Sequence, residues 1–373
     1  MEKSENPWYE VKLVEEIDTP ALLVYPERVK ANIQTALDMV KDPGRLRPHV
    51  KTHKTIEVTQ LLLKAGIHQF KCATIAEAEM LAMAGAKDIL LAYQPVGPKI
   101  QRLFNLISNY PEVTYSCLID HPHPASKISD MAVSENRVLP VYLDINLGTN
   151  RTGISPGVEA LKLFDLASKM RGLAVRGFHI YDGHLRQNDL QQRKSVCNRA
   201  FGEVDQMVDS LQAIGYPRPI VIAGGSTTFP IHAQREGIVC SPGTFVYWDY
   251  GYGEILTEQK FVYAALVISR VISLPSKGLV CVDLGHKSIA SENPLGKRIH
   301  FLNADYLEPI SQSEEHLVLQ TDPNHQFKIG DVLYGIPYHI CPTVALYERA
   351  LTIDKGLLSG EWRILARDRK INW

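Results

Sequence analysis

The segment Arg47-Pro48-His49-Val50-Lys51-Thr52-His53-Lys54 crowds cationic and ring-bearing side chains around one lysine. An amine held away from water beside other cations gives up its proton more readily, and Lys51 in such a place would serve as a nucleophile or a base. The alternative is a basic surface loop. Two later segments, Gly224-Gly225-Ser226-Thr227-Thr228 and Ser241-Pro242-Gly243-Thr244, combine glycine with hydroxyls. Glycine lets main-chain N–H groups approach an anion and hydroxyls add donors, which suits a phosphate cradle; two ordinary tight turns are the alternative. A lysine and a phosphate cradle together describe a pyridoxal phosphate site, where the amine holds the cofactor's aldehyde and the phosphate anchors its far end. Farther on, His339-Ile340-Cys341-Pro342-Thr343 sets imidazole and thiol two residues apart. In an extended segment both would face one side, a short chelate for Zn²⁺ that leaves positions for water or substrate. A backbone-bonded histidine beside a buried thiol is the other reading.

These groups need elements to position them. Short β-rich runs at 47–51, 69–73, 88–92, 114–118, 139–145, 174–181, 220–223 and 238–241 alternate with helical patterns. The helical patterns include 57–63, 75–83, a helix with Pro156 in its first turn running to Met170, and 186–214, closed by Gly215 and Pro217. Eight strand–helix units predict an α/β fold, a (β/α)8 TIM barrel. An open doubly wound sheet would want a glycine-rich fingerprint after its first strand, which the sequence lacks there. Barrel chemistry gathers at the carboxyl ends of the strands. Lys51 ends the first; Asp144, Asn146, Asn150 and Arg151 follow the fifth; His179, Tyr181, Asp182 and His184 end the sixth; the two hydroxyl-rich segments follow the seventh and eighth.

From about residue 258 the texture changes to strands at 261–268, 278–282, 316–319 and 332–334, with turns and no need of a helix. The expected organisation is a barrel over 25–257, a C-terminal all-β domain over 258–373 that carries the candidate metal pair, and residues 1–24 joining the β domain. Asp283-Leu284-Gly285-His286-Lys287 reads as a turn.

The chain has 373 residues, 45% hydrophobic and 22% charged, which suits two soluble domains. A formal net charge of -1 gives no global field for nucleic acid or an anionic membrane, so neither is an expected partner. Apolar runs such as Ile89-Leu90-Leu91-Ala92 are too short to span a bilayer, and the polar opening Met1 to Pro7 lacks the apolar core of a secretion signal. Cys72, Cys117, Cys197, Cys240, Cys281 and Cys341 are scattered without a CxxC pair, which reads as free thiols of the cytoplasm.

Nearly the whole chain resembles the D-serine dehydratase and D-threonine aldolase group of alanine-racemase-like pyridoxal phosphate enzymes. The likeness rests on Asp18-Thr19-Pro20-Ala21-Leu22-Leu23, the Arg47–Lys54 run, Tyr181-Asp182-Gly183-His184, Gly225-Ser226-Thr227, Pro242-Gly243-Thr244-Phe245 and His339-Ile340-Cys341-Pro342-Thr343. It implies a barrel followed by a β domain, a homodimer, and a small-molecule D-amino acid as substrate. It also implies Lys51 as the Schiff-base lysine, Tyr181 beside the pyridine ring, Ser226, Thr227, Gly243 and Thr244 as phosphate ligands, and His339 and Cys341 as zinc ligands. Two departures sharpen the choice of reaction. Alanine racemases carry an arginine just before the Pro-Gly pair, where this chain has Ser241. Aldolases of the group tend toward H-x-D at the metal, where this chain has H-x-C. The expectation is therefore a pyridoxal phosphate lyase that dehydrates a D-β-hydroxy amino acid to a keto acid and ammonia with the help of zinc. Retro-aldol cleavage, racemisation and a non-catalytic pyridoxal phosphate carrier are the alternatives, and the large β domain argues against the last.

Overall fold

A computed structural model describes residues 7–372. The polar opening that carried the expectation about a secretion signal falls almost wholly on residues 1–6, outside the described residues. The chain divides into two compact units, one formed by the segment up to Asn32 with Val246–Arg367, the other by Ile33–Phe245 with the segment from Asp368. The first unit holds β1 (Ala21–Val24), described with its partners below.

The second unit is a curled parallel sheet with helices between its strands. Its strands are β2 (Gln69–Cys72), β3 (Asp88–Leu91), β4 (Thr114–Ile119), β5 (Leu139–Ile145), β6 (Leu173–Ile180), β7 (Ile220–Ala223) and β8 (Ile238–Cys240), paired in that order. Every pair is parallel. Leu90, Leu118, Tyr142 and Ile222 pack together among these strands. Local signals explain the helices. Thr55 caps Ile56–Lys64 by accepting from Val58 N. Thr74 caps Ile75–Met83 by accepting from Glu77 N, and the Glu77 carboxylate takes Ala73 N at 2.6 Å, close to a capping box. Asp189 caps Leu190–Ala213. The predicted helix after residue 156 begins later than expected: Gly157 is the cap and Val158 the first helical residue, so Pro156 stands before the helix instead of in its first turn.

The predicted strand at 47–51 is a second correction. Leu46 bridges Cys240 and His49 bridges Lys71, so the segment joins β8 to β2 as the eighth stave of a TIM-like barrel. It is not a regular strand, because Pro48 has no N–H to give to a ladder. Three main-chain bonds hold it: Arg47 N to Cys240 O at 2.8 Å, His49 N to Pro242 O at 2.9 Å, and Lys71 N to Pro48 O at 2.9 Å. The chain then enters a 3₁₀ turn, Val50–Thr52, which carries Lys51.

The first unit is a mostly antiparallel nine-stranded sheet. Besides β1 it contains β9 (Ala265–Ser273), β10 (Leu279–Val282), β11 (Ile299–Phe301), β12 (Glu308–Gln312), β13 (Leu317–Gln320), β14 (Val332–Pro337), β15 (Arg349–Asp354) and β16 (Leu357–Arg363). β1 lies between β9, antiparallel, and β15, parallel. Leu23, Leu266, Ile268, Ile336 and Ile353 form the core beneath them. The expectation that this part needs no helix fails at Ile340–Val344, a short helix inside the predicted metal segment. Among the described residues no helix is long and apolar enough to cross a membrane.

Candidate active site

The fold takes the cationic run apart. Arg47 is buried and forks onto the Asp88 carboxylate with two bonds of 2.8 Å, adding Gln69 Oε1 at 2.9 Å. Lys54 pairs with Glu77. His53 is buried; desolvation lowers its pKa to about 3, the Lys54 charge adding to that against a bond with Thr55, so the ring is neutral. His49 is held well below its ordinary value by burial first and then by the charges of Lys51 and Lys71. Its Nδ1 accepts from Lys51 N at 3.2 Å, which fixes the turn at the lysine. The basic surface loop is excluded, since Arg47, His49 and His53 are all buried. Lys51 is half-buried, with Nζ 5.7 Å from the centroid of the Tyr181 ring. The Arg151 guanidinium lies 5.0 Å from the same centroid.

Behind Lys51 a chain of titratable groups crosses the barrel interior. Asp144 at the end of β5 and His179 at the end of β6 are neighbours in register. Asp144 Oδ1 accepts from His179 Nδ1 at 2.7 Å, and His179 Nε2 meets Lys71 Nζ, from β2, at 3.3 Å. Burial raises the Asp144 carboxyl, but the bond and charge of His179, Thr152 and Lys71 outweigh it and the net shift is downward. Burial and then Lys71 hold His179 below its ordinary value against the pull of Asp144. An ionised Asp144 thus accepts a hydrogen bond from Nδ1–H of a neutral ring, leaving Nε2 as the acceptor for Lys71. Lys71 itself is lowered to about 7, by burial first and then by the Lys51 charge, with Asp144 and Asp182 opposing.

The hydroxyl-rich loops fit a phosphate. Ser226, Thr227 and Thr244 are buried. Thr227 Oγ1 is enclosed yet has no hydrogen-bond partner among the described residues, an orphaned donor of the kind a bound anion satisfies. A Cβ at Gly243 would lie 2.8 Å from His49 O, so only glycine lets this loop approach the lysine turn so closely. Ser241, which stands where racemases have arginine, gives its hydroxyl to Arg47 O at 2.9 Å.

His339 and Cys341 meet by a route other than the predicted one. The segment is not extended: His339 is the N-cap of Ile340–Val344, Asp249 Oδ2 accepts from Ile340 N at 3.2 Å, and Thr343 Oγ1 donates to His339 O at 2.9 Å. His339 is still bonded to Cys341, now within a first helical turn. Its Nδ1 lies 2.5 Å from Glu292 Oε1. Burial lowers the His339 pKa, but the bond and charge of Cys341, then Asp249 and Glu292, raise it to about 9. The carboxylate shares the Nδ1 proton of the ring, an outer contact, which leaves the imidazole and the thiol as the donor types that suit Zn²⁺.

One cluster escaped the sequence reading. Asp182, Cys197 and His232 are buried and present ligand atoms within 4.8 Å of one another, the one such group of three metal-ligating side chains among the described residues. Asp182 Oδ2 and His232 Nε2 are 2.7 Å apart, the spacing of a shared proton; two ligands on one tetrahedral zinc, each at about 2.0–2.1 Å, would stand well over 3 Å apart. The Cys197 thiol is raised to about 12, by burial first and then by the Asp182 charge, so it keeps its proton. Arranged in this way the cluster is a hydrogen-bonded network. Only Asp182 was marked by position; 35 residues separate Cys197 from His232, and no local motif links them. Lys71 also went unmarked, although a lysine between Phe70 and Cys72 in a barrel strand was a visible signal.

A barrel with a half-buried lysine at its irregular stave, hydroxyl-rich loops after β7 and β8, and a separate β unit defines a pyridoxal phosphate enzyme of the alanine-racemase-like class. Residues 24–251 match the family described as "Alanine racemase, N-terminal domain", and residues 264–353 match a "Putative serine dehydratase domain". The chain belongs to the alanine racemase N-terminal domain family. It is 26% identical to the 3-hydroxy-D-aspartate aldolase of Paracoccus denitrificans over 367 residues, covering 95% of this chain and 93% of that protein. It is 26% identical to the D-threonine aldolase of an Arthrobacter species over 357 residues, 94% of this chain and 93% of that protein. The crystal structure of D-threonine aldolase from Filomicrobium marinum superposes with a TM-score of 0.87 at 25% identity, covering 96% of this chain and 97% of that one. D-threo-3-hydroxyaspartate dehydratase and D-serine dehydratase are also relatives. The protein is a pyridoxal phosphate-dependent lyase.

Proposed function

We propose that this lyase dehydrates a D-β-hydroxy amino acid to a keto acid and ammonia. The observation that carries the reading is the thiol of Cys341 bonded to His339 inside the segment that matches the serine dehydratase domain. When bound, the cofactor supplies a sink for the electron pair left at Cα, and zinc supplies a Lewis acid for the β-oxygen. Lys51 Nζ would hold the cofactor's aldehyde and, as a free amine, would serve as the base for the α-proton. Ser226, Thr227, Gly243 and Thr244 would hold the phosphate, and Tyr181 would stand near the pyridine ring. The neutral His179, locked by Asp144, places no added positive charge behind the site. His339 and Cys341 hold the metal. The homodimer rests on the resemblance alone, and cytoplasmic residence on six cysteines scattered without a CxxC pair.

D-Serine, D-threonine and D-threo-3-hydroxyaspartate, each assayed for ammonia and for glycine with and without chelator, test the proposal. Ammonia with a keto acid, lost on chelation, is the expected result. Glycine with an aldehyde would instead establish retro-aldol cleavage, the reading that the two aldolase relatives favour. Loss of optical rotation without new products would establish racemisation. Borohydride reduction followed by peptide mapping is expected to find the pyridoxyl label on Lys51; a label on another lysine overturns its role.

A further inference from the structure

Asp182 lies at the turn after β6, 2% exposed. Its Oδ1 accepts from Thr228 Oγ1 at 2.5 Å and its Oδ2 from His232 Nε2 at 2.7 Å. Both partners belong to the element that follows β7, a loop running from Gly224 into the short helix Phe229–His232. Thr228 is the N-cap of that helix, yet its hydroxyl makes no cap bond. A capping threonine ordinarily accepts from its own helix. Here the hydroxyl is turned to the carboxylate and accepts instead from Gly225 N at 3.4 Å. A line of bonds therefore runs from Asp182 through Thr228 to the main chain just before Ser226 and Thr227.

The neighbouring residue acts on the same loop. The Tyr181 ring lies against Gly225, where a Cβ would come within 2.9 Å of Cε2. Consecutive residues of one turn thus send a ring and a carboxylate to the same loop. The carboxylate is bonded to the loop's own Thr228 and, an acceptor only, it offers no donor to an anion. Burial raises its pKa, but the charge and bond of His232, with the Thr228 bond, bring it below the ordinary carboxylate value, so it remains an acceptor. Cys197 Sγ closes the cluster at 3.7 Å from both Asp182 Oδ2 and His232 Nε2.

We propose that Asp182, acting through Thr228 and His232, is a positioning residue that sets the Gly225–Thr227 main chain for the cofactor's phosphate. The proposal rests on the reading of Ser226 and Thr227 as phosphate ligands.

The test compares binding of pyridoxal 5'-phosphate and of pyridoxal, which lacks the phosphate, to the apo-proteins by absorbance titration. Asp182→Ala is expected to weaken pyridoxal phosphate binding on the order of 10- to 100-fold, as outer-shell partners of a bound group commonly do, and to change pyridoxal binding by less than about 3-fold. Asp182→Asn, which keeps an acceptor for Thr228, is expected to recover most of the loss. Equal losses for both ligands, or none, overturn the proposal. If Asp182→Ala does not fold, Thr228→Val decides, with a selective loss of about 3- to 10-fold expected and an unselective or absent loss overturning it. The Ser226→Ala/Thr227→Val pair separates the two readings. If the pair abolishes the preference for the phosphorylated ligand while the Asp182 and Thr228 variants keep it, only the positioning role fails. If the pair also keeps it, the phosphate assignment fails with it.

Discussion

Each unit holds a histidine against a carboxylate, and their surroundings are opposite. In the barrel, His179 and Asp144 are 2.7 Å apart with side chains 6% and 10% exposed. In the β unit, His339 and Glu292 are 2.5 Å apart, 44% and 47% exposed. The barrel imidazole is held below its ordinary pKa and the other is raised to about 9. The carboxylate is common to both, so it does not decide the ring's charge. What decides is the remaining company: dry walls and the Lys71 ammonium in one case, a thiol and a further aspartate in the other. The same pair of residue types is a neutral, fixed acceptor in one place and a cation-favouring ring in the other.

The sharpest way to break this contrast is Asp144→Ala. It strips the one anion bonded to His179 and leaves Lys71 without its main compensating charge; a loss of about 3–5 kcal/mol in urea unfolding of the apo-protein is expected. Next is Lys71→Met. Folding moves Lys71 from 10.5 to about 7, so the unfolded chain binds the extra proton between those values and stability rises with pH across that window. The substitution is expected to stabilise the apo-protein by about 2–4 kcal/mol at pH 6, and by clearly less at pH 9, in thermal melts at the two pH values. An equal gain at both would show that Lys71 titrates normally. Smallest is Glu292→Ala, which removes the carboxylate of the exposed pair and is expected to change metal-free stability by about 0.5 kcal/mol or less in the same urea assay. A change as large as that for Asp144→Ala would erase the distinction drawn from exposure.

Alternation of short apolar runs with helical periods made the barrel legible, and β5 and β7 fall where the pattern put them. Lys51 stood out because its neighbours are rare company for an amine, and the glycine–hydroxyl loops because their composition is local. What failed to show was whatever depends on contacts across the fold. Pro48 turned a predicted strand into a bridging segment because a missing N–H matters only once the neighbouring staves are known. His339 and Cys341 were paired by strand alternation, whereas Asp249, 91 residues from Ile340, accepts the main-chain N–H that starts a helix there. His232 lies 50 residues from Asp182, and nothing near it in the chain announces the bond.

The irregular stave has one more consequence. A regular strand is held by its ladder, whereas Leu46–His49 is held by three main-chain bonds, to Cys240, Pro242 and Lys71, and by the Arg47 fork onto Asp88. The turn bearing Lys51 follows directly and has its amide tied to the His49 ring, so this segment sets where that side chain starts. The lysine thus hangs from a piece fastened on both flanks, as a bracket is bolted at each end.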